Sequence, residues 1–136
     1  MPGFARRLFD AAGDVGNPFF TDVARGVEEA ASEAGHAVIL CNSGESAAKE
    51  RGHVELLAAQ RVHGVLITPV ESGPVPVRWL RERGISVVLL DHPTAADDLC
   101  SVAVDDRHGG ELAVTHLLAE VCERIVMVTG PAGVHQ

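Results

Sequence analysis

Two of the chain's four phenylalanines, Phe19 and Phe20, stand side by side directly after Asn17-Pro18. An aromatic held at a helix start beside a cleft is suited to stacking on a flat or ring-shaped ligand. Phe20 continues the apolar stripe of the following helix and Phe19 falls off it, so stapling of the helix to its neighbour is the competing use for the pair. Asp91 and Cys100 are the side chains that could act as nucleophiles, but each needs a base within reach and no recognisable pairing is present. Ser43 and Ser72 lack the G-x-S-x-G frame of a nucleophile elbow and are expected as cap or turn residues. His53 with His63, and His108 with His116, have spacings that match no zinc motif. Asp105-Asp106 precedes a helical pattern, where acids cap the free N–H groups and oppose the helix dipole. Neither G-x-G-x-x-G nor G-x-x-x-x-G-K-[ST] occurs, so no dinucleotide or phosphate cradle is indicated and no cofactor is expected.

The elements that must position these residues are legible in the periodicity. Asn17-Pro18 reads as a helix start. Phe20, Val23, Ala24, Val27, Ala30, Ala31 and Ala34 then recur at helical spacing, and Gly35 ends the helix. Ala37 to Cys41 is a continuous apolar run, expected as a strand covered on both faces. Ser46 caps a second helix to about Gln60 with Val54, Leu57 and Ala58 turned inward, and Gly64 to Thr68 is the next strand. After a Gly/Pro-rich loop from Glu71 to Pro76, a short helix around Val77 to Arg83 stops at Gly84. Ile85 to Leu90 is a third buried strand ending on Asp91, and His92 to Leu99 is loop-like. Ser101 to Val104 is short and extended, Arg107 to Val121 helical, and Arg124 to Val128 one more strand.

Strands alternating with helices predict an α/β fold, a doubly wound parallel sheet with helices on both faces. Ligands of such sheets sit at the carboxyl ends of the strands. Here those ends are Asn42-Ser43, Thr68-Pro69, Asp91-His92 and Thr129-Gly130, short polar residues that describe a pocket rim.

Composition bounds the partners. The 136 residues are 46% hydrophobic and 22% charged, with 4% aromatic, so the core must be built from Val, Leu, Ile and Ala. A formal net charge of −8 argues against a broad phosphate-binding surface. No run reaches the roughly 18 apolar residues of a membrane helix, and Met1 to Asp10 has no signal-peptide core. A cytoplasmic protein without membrane contact is expected. Cys41, Cys100 and Cys122 are odd in number and widely spaced, expected as buried, reduced thiols.

The ordered set Asn17-Pro18-Phe19-Phe20, Ala24-Arg25-Gly26-Val27-Glu28, Leu40-Cys41-Asn42-Ser43, Arg61-Val62-His63-Gly64-Val65-Leu66-Ile67, Leu90-Asp91, Val104-Asp105-Asp106, Gly109-Gly110 and His116-Leu117-Leu118 resembles LacI/GalR-family regulators. The order holds from Asn17 to Gly133. There are three departures. His63 replaces the usual Asp, Val121-Cys122-Glu123 replaces a Gly-His-basic turn, and Leu8-Phe9-Asp10-Ala11-Ala12 occupies the place of a plain aliphatic first strand.

The resemblance implies a type I periplasmic-binding-protein-like sensor of two lobes. Residues 1–16 are expected as an atypical segment in place of the first strand, 17–104 as the first lobe, and 105–136 as the beginning of the second. Either Leu8 to Ala12 fills the strand place with Asp10 buried at a cost of several kcal/mol, or Met1 to Asp14 forms a short helix or frayed arm. The strand that belongs in that first place lies between the second and third strands. The function implied is sensing a sugar or purine-like effector within a transcriptional regulator that self-associates as a homodimer. DNA would be met only through a headpiece that the 16 residues before Asn17 cannot hold. The implied ligand contacts are Asn17, Phe19, Phe20, Thr68, Asp91 and His92, with no catalytic residue and no metal. A lobe of a transport-type sugar-binding protein is the alternative on the same fold, and an enzyme on a flavodoxin-like sheet the alternative from another class.

Overall fold

The computed structural model describes residues 16–44, 46–70, 75–92, 94, 99–120 and 122–128, and the backbone of residues 6–12. It divides into two compact units, Met1–Val102 and Ala103–Gln136. The first unit is built from β1 (Arg6–Ala12), α1 (Pro18–Glu33), β2 (His36–Asn42), α2 (Ala47–Ala59), β3 (Gly64–Ile67), α3 (Val75–Glu82), β4 (Ser86–Leu90) and β5 (Cys100–Val102). Its sheet runs β2-β1-β3-β4-β5 with every neighbouring pair parallel. The chain steps one way to β2 and then reverses through β3, β4 and β5. With right-handed crossovers this winds α1 onto one face and α2 and α3 onto the other.

The helix starts are set by local chemistry. Asn17 Oδ1 accepts the Phe19 N–H at 3.0 Å with Pro18 at the first helical position, and Ser46 Oγ accepts the Lys49 N–H at 3.4 Å to open α2. Gly35 and Gly84, at φ 72° and 74°, leave α1 and α3 in the left-handed region that only glycine enters without cost.

The core lies between the sheet and the α2–α3 layer. Val54 and Leu57 of α2, Val77 and Leu80 of α3, Val65 and Ile67 of β3, and Val87 and Leu89 of β4 are all buried in one cluster. The period-two spacing along β3 and β4, in register with each other, aims these strand side chains at the same face.

Several expectations are corrected. Residues 6–12 form neither a helix nor an arm. They pair with β2 from Arg6↔His36 to Ala12↔Asn42 and with β3 from Leu8↔Gly64 to Ala11↔Ile67. Filling this central place satisfies two strand edges that would otherwise stand unpaired. The side chain of Asp10 lies outside the described residues. Next, β2 is not covered on both faces: it is the terminal strand of the sheet, and Ala37, Leu40 and Asn42 are exposed. In α1 the inward stripe is narrower than expected, with Phe20 and Ala31 buried but Ala30 and Ala34 exposed. Finally, Cys100 is an exposed thiol on β5, whose three residues are all exposed, while Cys41 and Cys122 are half-buried and all three are free.

The second unit contains α4 (Asp106–Ala119), which Asp105 opens by accepting the His108 N–H at 2.9 Å, with Asp106 in the first turn. Residues 124–128 were expected to form a strand, but no strand is assigned there. A strand is defined by its ladder to a neighbour, and none is present among the described residues of this unit. Val121, Thr129 and Gly130 fall outside the described residues.

Candidate functional site

In a parallel sheet all carboxyl ends lie at one side, so the rim positions meet by topology. Register sets Ile67 of β3 level with Leu89 of β4. Continuing that register places Thr68 level with Leu90 and one residue short of Asp91. The Thr68 Oγ1 is buried and has no hydrogen-bond partner among the described residues. Asp91 is half-buried at φ 50°, a conformation that costs a side-chain-bearing residue about 1–3 kcal/mol and tends to concentrate at functional sites. Its N–H donates to the Val102 carbonyl at 2.8 Å, which fastens the turn to the end of β5. His92 follows, half-buried.

On the other side of β3 stands β1, and the chain leaving β1 enters α1 at Asn17. There the two phenylalanines divide their roles. Phe20 is 8% exposed and holds α1 in place, whereas Phe19 is 39% exposed. The rings meet edge to face, centroids 5.2 Å apart at 77°, so Phe20 orients Phe19 while leaving its ring open. The Asn17 Oδ1 caps the helix, which leaves the Nδ2 donors of that side chain for other contacts. At the end of β2, Asn42 Oδ1 accepts the Gly44 N–H at 2.9 Å and the Ser43 carbonyl accepts the Ser46 N–H at 3.1 Å. Ser43 is thus the turn residue its sequence suggests. Thr129-Gly130, the fourth expected strand end, and Ser72 lie outside the described residues.

Glu50 is a residue the candidate list omits. It is 3% exposed and belongs to the first turn of α2. Its Oε2 accepts the Val70 N–H at 2.8 Å, twenty residues away and two beyond Thr68. A signal for it was present: Glu50, Val54 and Leu57 are spaced i, i+4, i+7, so an acid occupies the inward stripe of a helix.

A groove of about 460 Å³ lies elsewhere, between the C-terminal ends of α2 and α3, lined by Glu55, Ala58, Val62, Trp79, Arg83 and Ile85 among others. These residues precede β3 and β4, at the opposite end of the sheet from the rim. The Arg83 guanidinium already covers the Trp79 ring at 3.5 Å and donates to the Trp79 carbonyl at 3.2 Å. The indole face is therefore occupied from within. Among the described residues no His, Cys, Asp and Glu group could hold a metal ion, and no helix is long and apolar enough to cross a membrane.

Residues 13–133 match the family model for periplasmic binding proteins and the sugar binding domain of the LacI family. The chain belongs to this family. A ribose operon repressor of Halalkalibacterium halodurans is 36% identical to this LacI-type chain over 121 residues, which are 89% of the chain and 35% of the repressor. The HTH-type transcriptional repressor PurR of Photorhabdus laumondii is 31% identical over 116 residues, 84% of the chain and 34% of that protein. The chain thus spans about a third of the length of these relatives. Among solved structures, a transcriptional regulator CelR–cellobiose complex superposes with a TM-score of 0.80 at 25% identity, covering 98% of the LacI-type chain and 43% of that structure. The periplasmic-binding-protein-like α/β fold expected from the sequence is the fold this chain has.

Proposed function

We propose that this chain is the effector-sensing portion of a LacI-type transcriptional regulator and that it takes a sugar or nucleobase-like molecule at the carboxyl ends of β1, β3 and β4. The observation that carries this reading is the buried Thr68 hydroxyl, which has no partner among the described residues, at the same end of the sheet as the Asp91 turn with its φ of 50°. A buried hydroxyl without a partner is unfavourable by about 1–3 kcal/mol, and a ligand hydroxyl or ring nitrogen supplies that partner once the rim moves to uncover it. Asp91 and His92 offer further polar contacts, and the open ring of Phe19 offers a face for a pyranose, furanose or purine. Asn17 contributes by capping the helix that carries Phe19. The names of the relatives, a ribose operon repressor and PurR, agree with a small-molecule effector and with binding rather than catalysis.

In this reading residues 17–104 belong to the first lobe and 105–136 begin the second. Ligand bound at this rim favours one state of the regulator over another, and in a homodimer that shift alters the spacing of DNA-binding headpieces. DNA contact belongs to a headpiece rather than to this acidic segment, and a regulator of this kind acts in the cytoplasm.

Amide chemical shifts of the chain, recorded with millimolar D-ribose, cellobiose and hypoxanthine, test the reading. At least one should move the signals of Phe19, Thr68, Asp91 and His92, and Phe19→Ala should weaken that response at least fivefold. Shifts scattered over the surface, or confined to the Trp79 groove, would refute it.

A further inference from the structure

The hydrogen-bond ladder of β3 ends at Ile67, yet the rim residues Thr68, Pro69 and Val70 extend beyond it. Glu50 supplies an anchor in place of the ladder. A carboxylate this deeply buried is costly unless strongly hydrogen-bonded. Its bond to the Val70 N–H, at 2.8 Å, supplies such a partner. The first turn of α2 adds the positive end of the helix dipole. Pro69 lies between the anchor and Thr68, and its fixed φ limits how far Thr68 can turn while Val70 is held.

Glu50 is itself held from the neighbouring rim segment. Its N–H donates to the Ser46 carbonyl at 2.9 Å, and the Ser46 N–H donates to the carbonyl of the buried Ser43 at 3.1 Å. Ser43 follows directly on the end of β2 at Asn42. One chain of bonds therefore runs from the β2 rim through the start of α2 to the β3 rim. The two segments are not adjacent in the sheet, because β1 lies between β2 and β3.

We propose that Glu50 is a positioning residue for the effector site: it locks Thr68–Val70 against the start of α2, so that Thr68 keeps one orientation at the rim. The role rests on the effector reading above. Glu50 touches no ligand and acts through the Val70 amide. A neutral amide side chain of the same shape keeps an acceptor oxygen and should keep most of the role. Aspartate, one methylene shorter, keeps the charge but not the reach.

Amide hydrogen exchange and D-ribose titration, both followed by NMR on the whole chain, test this with Glu50→Gln, Glu50→Asp and Glu50→Ala. Losing the anchor should speed exchange at Val70 roughly tenfold in the Asp and Ala variants, the size expected for one such bond. The same variants should weaken the ribose-induced shift of Thr68 at least fivefold, while Gln stays within about twofold of wild type in both readouts. If Glu50→Ala fails to fold, Glu50→Asp decides. Unchanged Val70 exchange in the variants would overturn the anchor. Faster exchange with an unchanged ribose response would overturn positioning and leave a purely structural bond. No ribose response in the wild type, with cellobiose and hypoxanthine equally silent, would overturn the effector reading and the positioning role with it.

Discussion

The N–H of Asp91 donates to the carbonyl of Val102 at 2.8 Å while Asp91 itself sits at φ 50°. The bond joins the turn after β4 to the last residue of β5, in continuation of the Leu90↔Val102 register. The turn that carries a candidate ligand contact is therefore held in the left-handed region, which Asp tolerates better than most side-chain-bearing residues and glycine enters freely.

That conformation has a direct consequence for stability. Asp91→Ala and Asp91→Gly both remove the carboxylate, but only glycine enters the left-handed region freely. Asp91→Gly should be the more stable of the two by about 1 kcal/mol, measured by urea unfolding. An alanine variant equal to or firmer than the glycine variant would show that the turn relaxes.

The packing between sheet and helices predicts a sharp contrast within α2. Leu57 is 1% exposed and the adjacent Leu56 is 54% exposed. Leu57→Ala should cost about 2–5 kcal/mol through the cavity it leaves, whereas Leu56→Ala should cost under about 1 kcal/mol. Equal losses at the two positions would contradict the inward face assigned to α2.

The thiols should separate by reactivity. Burial pushes the Cys41 thiol above its ordinary value, so less of it is thiolate at neutral pH, and Cys100 is exposed. A maleimide probe at pH 7.5 should label Cys100 first, with Cys41 lagging at least tenfold and catching up as pH rises, because the thiolate is the reactive form. Faster labelling of Cys41 at neutral pH would refute the assignment.

Val126, Met127 and Val128 are 85%, 83% and 93% exposed, and Leu112 and Leu118 of α4 are 59% and 60% exposed. Among the described residues this apolar run has no strand neighbour, and an exposed apolar segment of this kind favours association with another chain. Light scattering of the isolated chain should show association that grows with concentration, and Val126→Lys with Val128→Lys should suppress it. A wild-type chain that stays monomeric at high micromolar concentration would exclude this surface as sticky.

Much of this fold is local and was legible in the sequence. Asn17, Ser46 and Asp105 announce helix starts because a short polar side chain can reach its own backbone two or three residues on. The apolar runs around Val38, Val65 and Val87 announce strands, and their alternation with helices announces a parallel sheet. The rim followed from the rule that all parallel strands end on one side.

Other features were decided only by tertiary structure. Arg6–Ala12 looks unlike a central strand, yet it is one, because unsatisfied peptide groups on β2 and β3 outweigh the local preference of an acid-bearing segment. The β2 run looks fully buried but is half-exposed, because position in the sheet order, rather than hydrophobicity, determines which strand has a single neighbour. The bond from Glu50 to Val70 spans twenty residues and exists only because the start of α2 and the end of β3 are brought to the same end of the sheet. Periodicity can put an acid on an inward face, but only the packed structure supplies the N–H that makes its burial tolerable.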